Sequence, residues 1–201
     1  MHPIERLRYV ARSQGVPASV LVPEAAAALM AFRHDPAGMV SACRRIIDRQ
    51  SDCGPLWWLC SRILCGFDVL EEARRSVEEF TADPTADRLA EALAELGDDR
   101  LPVVVEARAC GSSSALVVGR LHDGPTWLVA PIGTVLPPAT FDVLCRRWSE
   151  GADGANRGDR LDLVEVSTFA AVVRPGGRMN PERALRRADC PVAPELFRLA
   201  G

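Results

Sequence analysis

The fold is decided by the stretch Pro125-Thr126-Trp127-Leu128-Val129-Ala130-Pro131-Ile132-Gly133-Thr134-Val135-Leu136-Pro137-Pro138. Its apolar run from Trp127 to Ala130 has no polar alternation and is closed by a proline, which is typical of a strand buried on both faces of a parallel sheet. Ligands of open α/β sheets bind beyond the carboxyl ends of the strands. The turn from Pro131 to Thr134, with Gly133 and Thr134 as donors, is therefore where we expect a small anion to bind.

A second buried strand is predicted upstream, where the β-branched run Val103 to Val105 begins. A parallel crossover between the two strands needs about a dozen residues or more, so one short helix over Ser113 to Gly119 is expected. The turn before it holds Gly111, Ser112, Ser113 and Ser114. At a helix N-terminus these residues would supply the N–H and hydroxyl donors of an anion pocket, although serine-rich turns are equally ordinary helix caps.

The chain before this sheet reads as a succession of five or six helices, and we place a helical domain at residues 1–97. Asp35-Pro36 and Asp83-Pro84 each combine a capping residue with a helix-starting proline, and the second helix is expected to open at Pro23. The segment from Leu56 to Leu64, which contains Trp57 and Trp58, is apolar around most of its circumference. We therefore expect the tryptophan pair to lie in the core; a base-stacking platform would need a basic, glycine-rich sheet around it.

Residues 98–201 are predicted to form the sheet domain. A helix starts at Pro138 or Thr140, Leu161–Val166 and Phe169–Val173 read as further strands, and the segment from Gly151 to Arg160 reads as a mobile loop. The fold class is thus α/β, with an N-terminal helical domain followed by a small, Rossmann-like, mainly parallel sheet with flanking helices.

Composition excludes several classes of function. The chain has 201 residues, a formal net charge of -3 and no lysine, since all 24 basic residues are arginine. A Schiff-base lysine and a phosphate-binding-loop lysine are therefore excluded, and a nucleic-acid partner is not expected from the bulk charge. No run approaches the roughly 20 apolar residues of a membrane span, so no membrane partner is expected.

Cysteine usage points to a reducing compartment. The seven cysteines are an odd number, make no CxxC pair, and follow no secretory leader, which predicts a cytoplasmic protein with buried structural thiols. Their spacings fit no zinc module and the three histidines are scattered. We accordingly predict no metal site and no cofactor.

Four segments carry a resemblance to a known family. They are Pro125–Pro137, Asp162–Val166, Val172–Gly176 and Cys190–Leu196, and they resemble bacterial members of the translation initiation factor 2B regulatory subunit family. That family also contains methylthioribose-1-phosphate isomerase and ribose-1,5-bisphosphate isomerase. Parts of the N-terminal region look like the helical domain of the same proteins. The resemblance implies a helical domain followed by a Rossmann-like sheet, and a homodimer through the sheet domain.

The departures from the family bear on activity. Relative to family members the chain is shortened in the middle, so its Rossmann-like half is truncated and lacks the region of the isomerases' catalytic cysteine. Arg108 stands where the isomerases carry a catalytic aspartate, and a guanidinium cannot act as a general acid or base near neutral pH. The resemblance therefore implies no catalytic residue at this position.

A replacement site would have to use other groups near the end of the first strand. Glu106 and Cys110 lie there, and Arg108 beside Cys110 could lower the pKa of the thiol, as a reactive cysteine needs. The alternative, which we favour, is that Cys110 only fills space.

Three hypotheses follow from the sequence. The first is a non-catalytic relative that acts through protein contacts, as a homo-oligomer. The second is a sensor that binds a small phosphorylated ligand through Arg108, Gly111–Ser114 and Gly133–Thr134. The third is a sugar-phosphate isomerase with a rearranged site. The absence of any lysine from the chain, of the isomerases' aspartate and of their cysteine region ranks the three hypotheses in that order.

Overall fold

The computed structural model describes residues 3–13, 15–96, 101–119, 124–150 and 161–198, so the predicted mobile loop at 151–160 lies outside the described residues. Helices make up the first half of the chain. They are α1 (Pro3–Arg12), α2 (Ala18–Leu29), α3 (Pro36–Arg49), α4 (Gly54–Cys65), α5 (Val69–Thr81) and α6 (Thr85–Ala94).

The predicted cap at Asp35-Pro36 is confirmed at the start of α3, whereas the one at Asp83-Pro84 is displaced by one residue, because the N-cap of α6 is Pro84 and Asp83 lies before it. Asp35 accepts a hydrogen bond from the Gly38 N–H at 2.9 Å, and Asp68 accepts two from the first turn of α5. The predicted start of the second helix at Pro23 is wrong, because α2 begins at Ala18 and Pro23 lies inside it. The hydrogen bond that a proline cannot donate there would have gone to the carbonyl of Ser19, an exposed residue that water can reach.

The second half of the chain forms a six-stranded sheet in the order β4-β2-β1-β3-β5-β6. The strands are β1 (Val103–Cys110), β2 (Ser114–Val118), β3 (Thr126–Val129), β4 (Leu161–Glu165), β5 (Ala171–Arg174) and β6 (Gly177–Met179). The central strands β1, β3 and β5 are parallel to one another, whereas β2, β4 and β6 pair antiparallel with their neighbours. The helices of this half are α7 (Pro138–Glu150) and α8 (Pro181–Ala184).

The predicted crossover helix over Ser113–Gly119 is wrong. These residues form β2, which returns directly alongside β1 as a hairpin closed by a Gly111 N–H to Ser114 carbonyl bond of 2.8 Å. A short apolar run of this length is ambiguous between strand and helix, and the second partner, β4, satisfies the other edge of β2. The prediction that Val103–Val105 and Trp127–Ala130 lie in one sheet as parallel neighbours is confirmed, with Val104 opposite Trp127.

One apolar core joins the two halves. Buried residues of α2, α3 and α4 form a single cluster with Ala109 of β1, Leu116 of β2 and Leu144 of α7. The start of α4 lies directly against β1: a Cβ atom on Gly54 would stand 2.5 Å from the carbonyl oxygen of Arg108. Only glycine permits this approach, so Gly54 fixes how closely the helices meet the sheet. The other face of the sheet is covered by α8.

The tryptophan pair lies in this core, as predicted. Trp57 and Trp58 are 0% and 1% exposed, and their indole N–H groups donate to the carbonyls of Ser51 and Asp189. A guanidinium stacks on each ring: Arg147 lies 5.3 Å from the Trp57 ring and Arg62 lies 5.0 Å from the Trp58 ring.

We predict that Trp57→Ala and Trp58→Ala each lower the free energy of unfolding by about 3 to 5 kcal/mol, because each leaves a large cavity in the shared core. Urea denaturation followed by circular dichroism measures the change. Leu101→Ala is the control, since Leu101 is 63% exposed and its truncation should cost less than about 0.5 kcal/mol. Two tryptophan variants as stable as this control would contradict the assignment.

Candidate functional site

The loop that follows β3 is where the sequence predicts anion binding, and its backbone donors already hold carboxylates of the protein itself. The Ile132 N–H donates to Asp83 Oδ2 at 2.6 Å. The N–H groups of Gly133 and Val135 both donate to Asp189 Oδ2, each at 3.3 Å. The Thr134 N–H donates to the carbonyl of Pro131. An external anion therefore meets a loop whose donors are in use.

Asp189 is bonded through both its side chain and its backbone. Its carboxylate pairs with Arg174 of β5, its N–H donates to the Val135 carbonyl at 2.8 Å, and its carbonyl accepts from Trp58 Nε1 at 3.2 Å. Burial raises the pKa of the Asp189 carboxyl, while Arg174 and the two loop N–H groups act in the opposite direction. Sequence reasoning missed this residue, because an aspartate between an arginine pair and a proline-rich tail matches no motif for a binding or structural role.

Gly133 holds the loop in a shape that other residues do not adopt. Its φ is +83°, and an added Cβ would come within 3.2 Å of the Pro55 Cα and of the Trp58 ring. Both the backbone conformation and the close approach to α4 require glycine. The predicted site residue Gly133 thus serves the contact between helices and sheet as well as the turn.

A groove of about 570 Å³ lies beside this loop, between the α1–α2 turn, the start of α4 and strand β1. Glu106, Arg108 and Thr134 are among its lining residues, together with the apolar Val104 and Phe80. Successive side chains of a strand alternate between faces, so Val104 and Glu106 face the groove while Val105 and Ala107 pack into the core behind it. The structure thus brings together three residues that the sequence singled out.

A bulge in β1 directs Arg108 toward the helical half. The register with β2 shifts between Ala107 and Ala109, which leaves Arg108 as the extra residue. Its Nη2 atom donates to Asp52 Oδ2 at 3.1 Å, and both side chains are 24% exposed. Asp52 lies two residues before the start of α4 and was missed by the sequence analysis. Arg108 therefore ties the sheet to the start of α4 at one wall of the groove.

The predicted anion pocket at Gly111–Ser114 takes a different form in the structure. These residues are the turn of the β1–β2 hairpin, not a helix N-terminus, and they are not among the residues that line the groove. The Gly111 N–H is used to close the turn, and Ser112 and Ser113 are exposed. The physical basis of the prediction, a helix dipole with free first-turn donors, is absent from this described segment.

Cys110 is fully buried, and burial raises the pKa of its thiol well above the ordinary value. The expectation that Arg108 lowers this pKa is wrong, because the bulge turns Arg108 away and the charged groups that act on the thiol are Arg174 and Asp189. Cys53, which does line the groove, has its pKa raised to about 11 by burial. Glu106, by contrast, is exposed.

Two further classes of site are not found in the described part of the chain. Within residues 3–13, 15–96, 101–119, 124–150 and 161–198, no group of three or more His, Cys, Asp or Glu side chains could hold a metal ion. Over the same ranges, no helix has the length and apolar character needed to cross a membrane.

The same architecture occurs in a solved structure. A crystal structure of the translation initiation factor eIF-2B from Pyrococcus horikoshii OT3 matches with a TM-score of 0.65 and 12% sequence identity, covering 92% of this chain and 98% of that chain. This chain has the initiation factor 2B fold. At such low identity the likeness shows the fold alone. A scan of family models and a search of curated proteins found no match.

The initiation factor 2B fold was implied by the sequence resemblance, and the comparison confirms that part of it. The helical N-terminal region and the flanking helices are present as expected. The sheet was expected to be mainly parallel and is mixed: β1, β3 and β5 are parallel, whereas β2, β4 and β6 are antiparallel to their neighbours.

Thiol accessibility gives one prediction for this site. With iodoacetamide at pH 8, Cys65 should be alkylated before Cys110, because Cys65 is exposed whereas Cys110 is buried. Each unit by which burial raises the pKa of a thiol also lowers its thiolate fraction about tenfold. Peptide mass spectrometry over time measures the order, and Cys65→Ser should remove the first phase. Rapid modification of Cys110 in the folded protein would instead identify a reactive thiol.

The Arg108–Asp52 pair gives a second prediction. A double-mutant cycle with Arg108→Ala, Asp52→Ala and the double variant should yield a coupling of roughly 0.5 to 3 kcal/mol in the free energy of unfolding, as for other contacting charged pairs. Chemical denaturation measures all four proteins. The cycle between Arg8 and Glu5, an exposed pair on α1, is the control and should give less than about 1 kcal/mol. A coupling near zero for Arg108 and Asp52 would remove its role in joining sheet and helices.

Proposed function

We propose that this chain is a non-catalytic, initiation factor 2B-like protein that acts through protein contacts or by binding a small phosphorylated ligand. The observation that carries the proposal is the bond from Arg108 to Asp52 at 3.1 Å. By the sequence resemblance, Arg108 stands where the isomerases have their catalytic aspartate. Here that position holds a group that cannot exchange protons near neutral pH and that helps to join the sheet to α4.

The state of the nearby thiol supports the same proposal. A nucleophilic cysteine needs an accessible sulfur and a lowered pKa, and Cys110 has neither, since its exposure is 0% and burial raises its pKa. A thiol in this condition is inert until the protein unfolds. Cys110 accordingly packs with Ala184 of α8 in the core on the face of the sheet that α8 covers.

The groove supports binding of a small ligand. Its volume of about 570 Å³ falls in the ordinary range for small-molecule sites, and it combines apolar walls with few charged groups. Arg108 is the cation that a phosphate group in the groove would meet, and Phe80 and Val104 offer apolar surface beside it. A nucleotide or a sugar phosphate fits this description.

Protein contacts are supported by a different surface. Phe67 is fully exposed in the turn between α4 and α5, and Leu70 on the first turn of α5 is 52% exposed. Val192 of the C-terminal tail is 41% exposed, and its carbonyl accepts a hydrogen bond from Cys65 at the end of α4. Large apolar side chains left in water are typical of interaction sites, and we propose a homo-oligomer as the first assembly to test.

A cytoplasmic location in a bacterial cell is also part of the proposal. The cytoplasmic part is supported by the seven cysteines, all of which are free thiols, and the bacterial part by the sequence resemblance alone. The rearranged isomerase is the second candidate. Glu106 favours it, because this exposed carboxylate lies in the same groove as Arg108 and could exchange a proton with a bound sugar.

Turnover assays separate the two candidates. We predict no isomerisation of methylthioribose 1-phosphate or ribose 1,5-bisphosphate, because the acid–base position is an arginine and the thiol is buried. Product formation is measured directly for both substrates, with a genuine isomerase as the positive control. Turnover that is abolished by Glu106→Gln would establish the rearranged isomerase and overturn the non-catalytic proposal.

Thermal shift with nucleotides and sugar phosphates tests the binding function separately. A ligand present at 100 times its dissociation constant stabilises the folded protein by about 2.7 kcal/mol, and Arg108→Ala should abolish the shift. Analytical ultracentrifugation tests the protein-contact alternative. A monomer that no phosphorylated compound stabilises would contradict both modes of binding.

A further inference from the structure

The loop after β3 has more donors than Asp189 satisfies well. The Gly133 and Val135 N–H groups share the single oxygen Oδ2, and both distances are 3.3 Å, beyond the usual 2.7 to 3.2 Å for such bonds. A carboxylate on a short side chain cannot offer each donor its own oxygen when its other oxygen is held by Arg174. The two loop donors are therefore bonded, but weakly.

Arg174 leaves a donor unused at the same place. Its Nη2 holds Asp189 Oδ1, and its Nη1 donates to the carbonyls of Ala184 and Arg187. Its Nε is buried and has no hydrogen-bond partner among the described residues. Nε and Nη2 form one edge of the guanidinium, so the unused donor lies beside the one that holds the carboxylate.

These donors together match a tetrahedral oxyanion better than a carboxylate. A phosphate group carries three or four oxygens and nearly two negative charges at neutral pH, so separate oxygens could reach Gly133 N, Val135 N and the Nε–Nη2 edge of Arg174. The loop also lies at the carboxyl end of β3, where open α/β sheets bind their ligands.

We propose that the Gly133–Val135 loop and Arg174 form an anion site for a phosphate group that Asp189 occupies from within the chain. The Asp189 side chain competes with external phosphate for these donors, so phosphate binds only when the carboxylate moves away from them. This site adjoins the ligand site proposed around Arg108, whose groove is lined by Thr134 of the same loop, but it uses different donors, namely the Gly133 and Val135 N–H groups and Arg174. Arg108→Ala therefore tests the groove site, and Asp189→Ala tests the loop site.

The test is isothermal titration calorimetry with inorganic phosphate on three proteins: the wild-type chain, Asp189→Ala and Asp142→Ala. Asp142 is exposed on α7, so its variant removes one negative charge at a distance from the loop. We expect the dissociation constant of phosphate to fall by at least about tenfold in Asp189→Ala, since an N–H pair and a guanidinium edge are freed, and to stay unchanged in Asp142→Ala. The gain should disappear in the double variant Asp189→Ala/Arg174→Gln.

Folding of the variant itself provides a second readout. If Asp189→Ala unfolds without added anion, recovery of the folded protein in phosphate that the double variant Asp189→Ala/Arg174→Gln does not show supports the proposal, because the general stabilising effect of phosphate acts on both variants. No gain in phosphate affinity, or no recovery in phosphate, overturns it. Amide chemical shifts of Gly133 and Val135 that saturate in the wild-type chain at the same phosphate concentration as in Asp189→Ala would overturn it as well, because Asp189 would then not be a competitor.

Discussion

The bonds of Asp189 are the interaction on which the arrangement of the rest depends. This one residue holds the loop after β3 through two N–H groups, β5 through Arg174, and helix α4 through the indole of Trp58. Each partner is polar and at least partly buried, so each would carry a desolvation cost if Asp189 were absent. The sheet edge, the helical half and the C-terminal tail therefore meet in one geometry because a single carboxylate and its backbone satisfy all of them.

Asp83 extends the same arrangement to the other side of the loop. Its Oδ1 accepts from the Thr85 N–H at the start of α6, while its Oδ2 accepts from the Ile132 N–H. Asp83 thereby joins the first residue of the last helix of the first half to the sheet edge. The strand end that other α/β proteins leave open for ligands is used here to join the two halves, and the remaining open space is the groove along β1.

The arginine-only composition has a structural use that the exclusion of lysine chemistry did not anticipate. Arg62, Arg147 and Arg178 each place a guanidinium 5.0 to 5.3 Å from the centre of a tryptophan ring. Arg147 is buried and also binds Asp48 and two carbonyls of the C-terminal segment. A planar guanidinium can stack and donate in several directions at once, which a lysine ammonium cannot do. These arginines thus pack over tryptophan rings while their remaining donors can bind other groups.

The sequence by itself determined the helical first half, the buried strands at Val103–Val105 and Trp127–Ala130, the core position of Trp57 and Trp58, and the fold resemblance, because apolar periodicity and helix caps are local properties. Tertiary structure decided that Ser114–Val118 is a strand, since a short apolar run takes the form that its neighbours β1 and β4 can pair with. Tertiary structure also decided that the backbone donors of the loop after β3 bind carboxylates of the protein itself. Asp189 accepts a hydrogen bond from Gly133, 56 residues away in the sequence, and Asp83 accepts one from Ile132, 49 residues away. The residues next to an aspartate do not indicate whether its carboxylate binds the first turn of a helix or a distant amide, so the sequence could not predict these bonds.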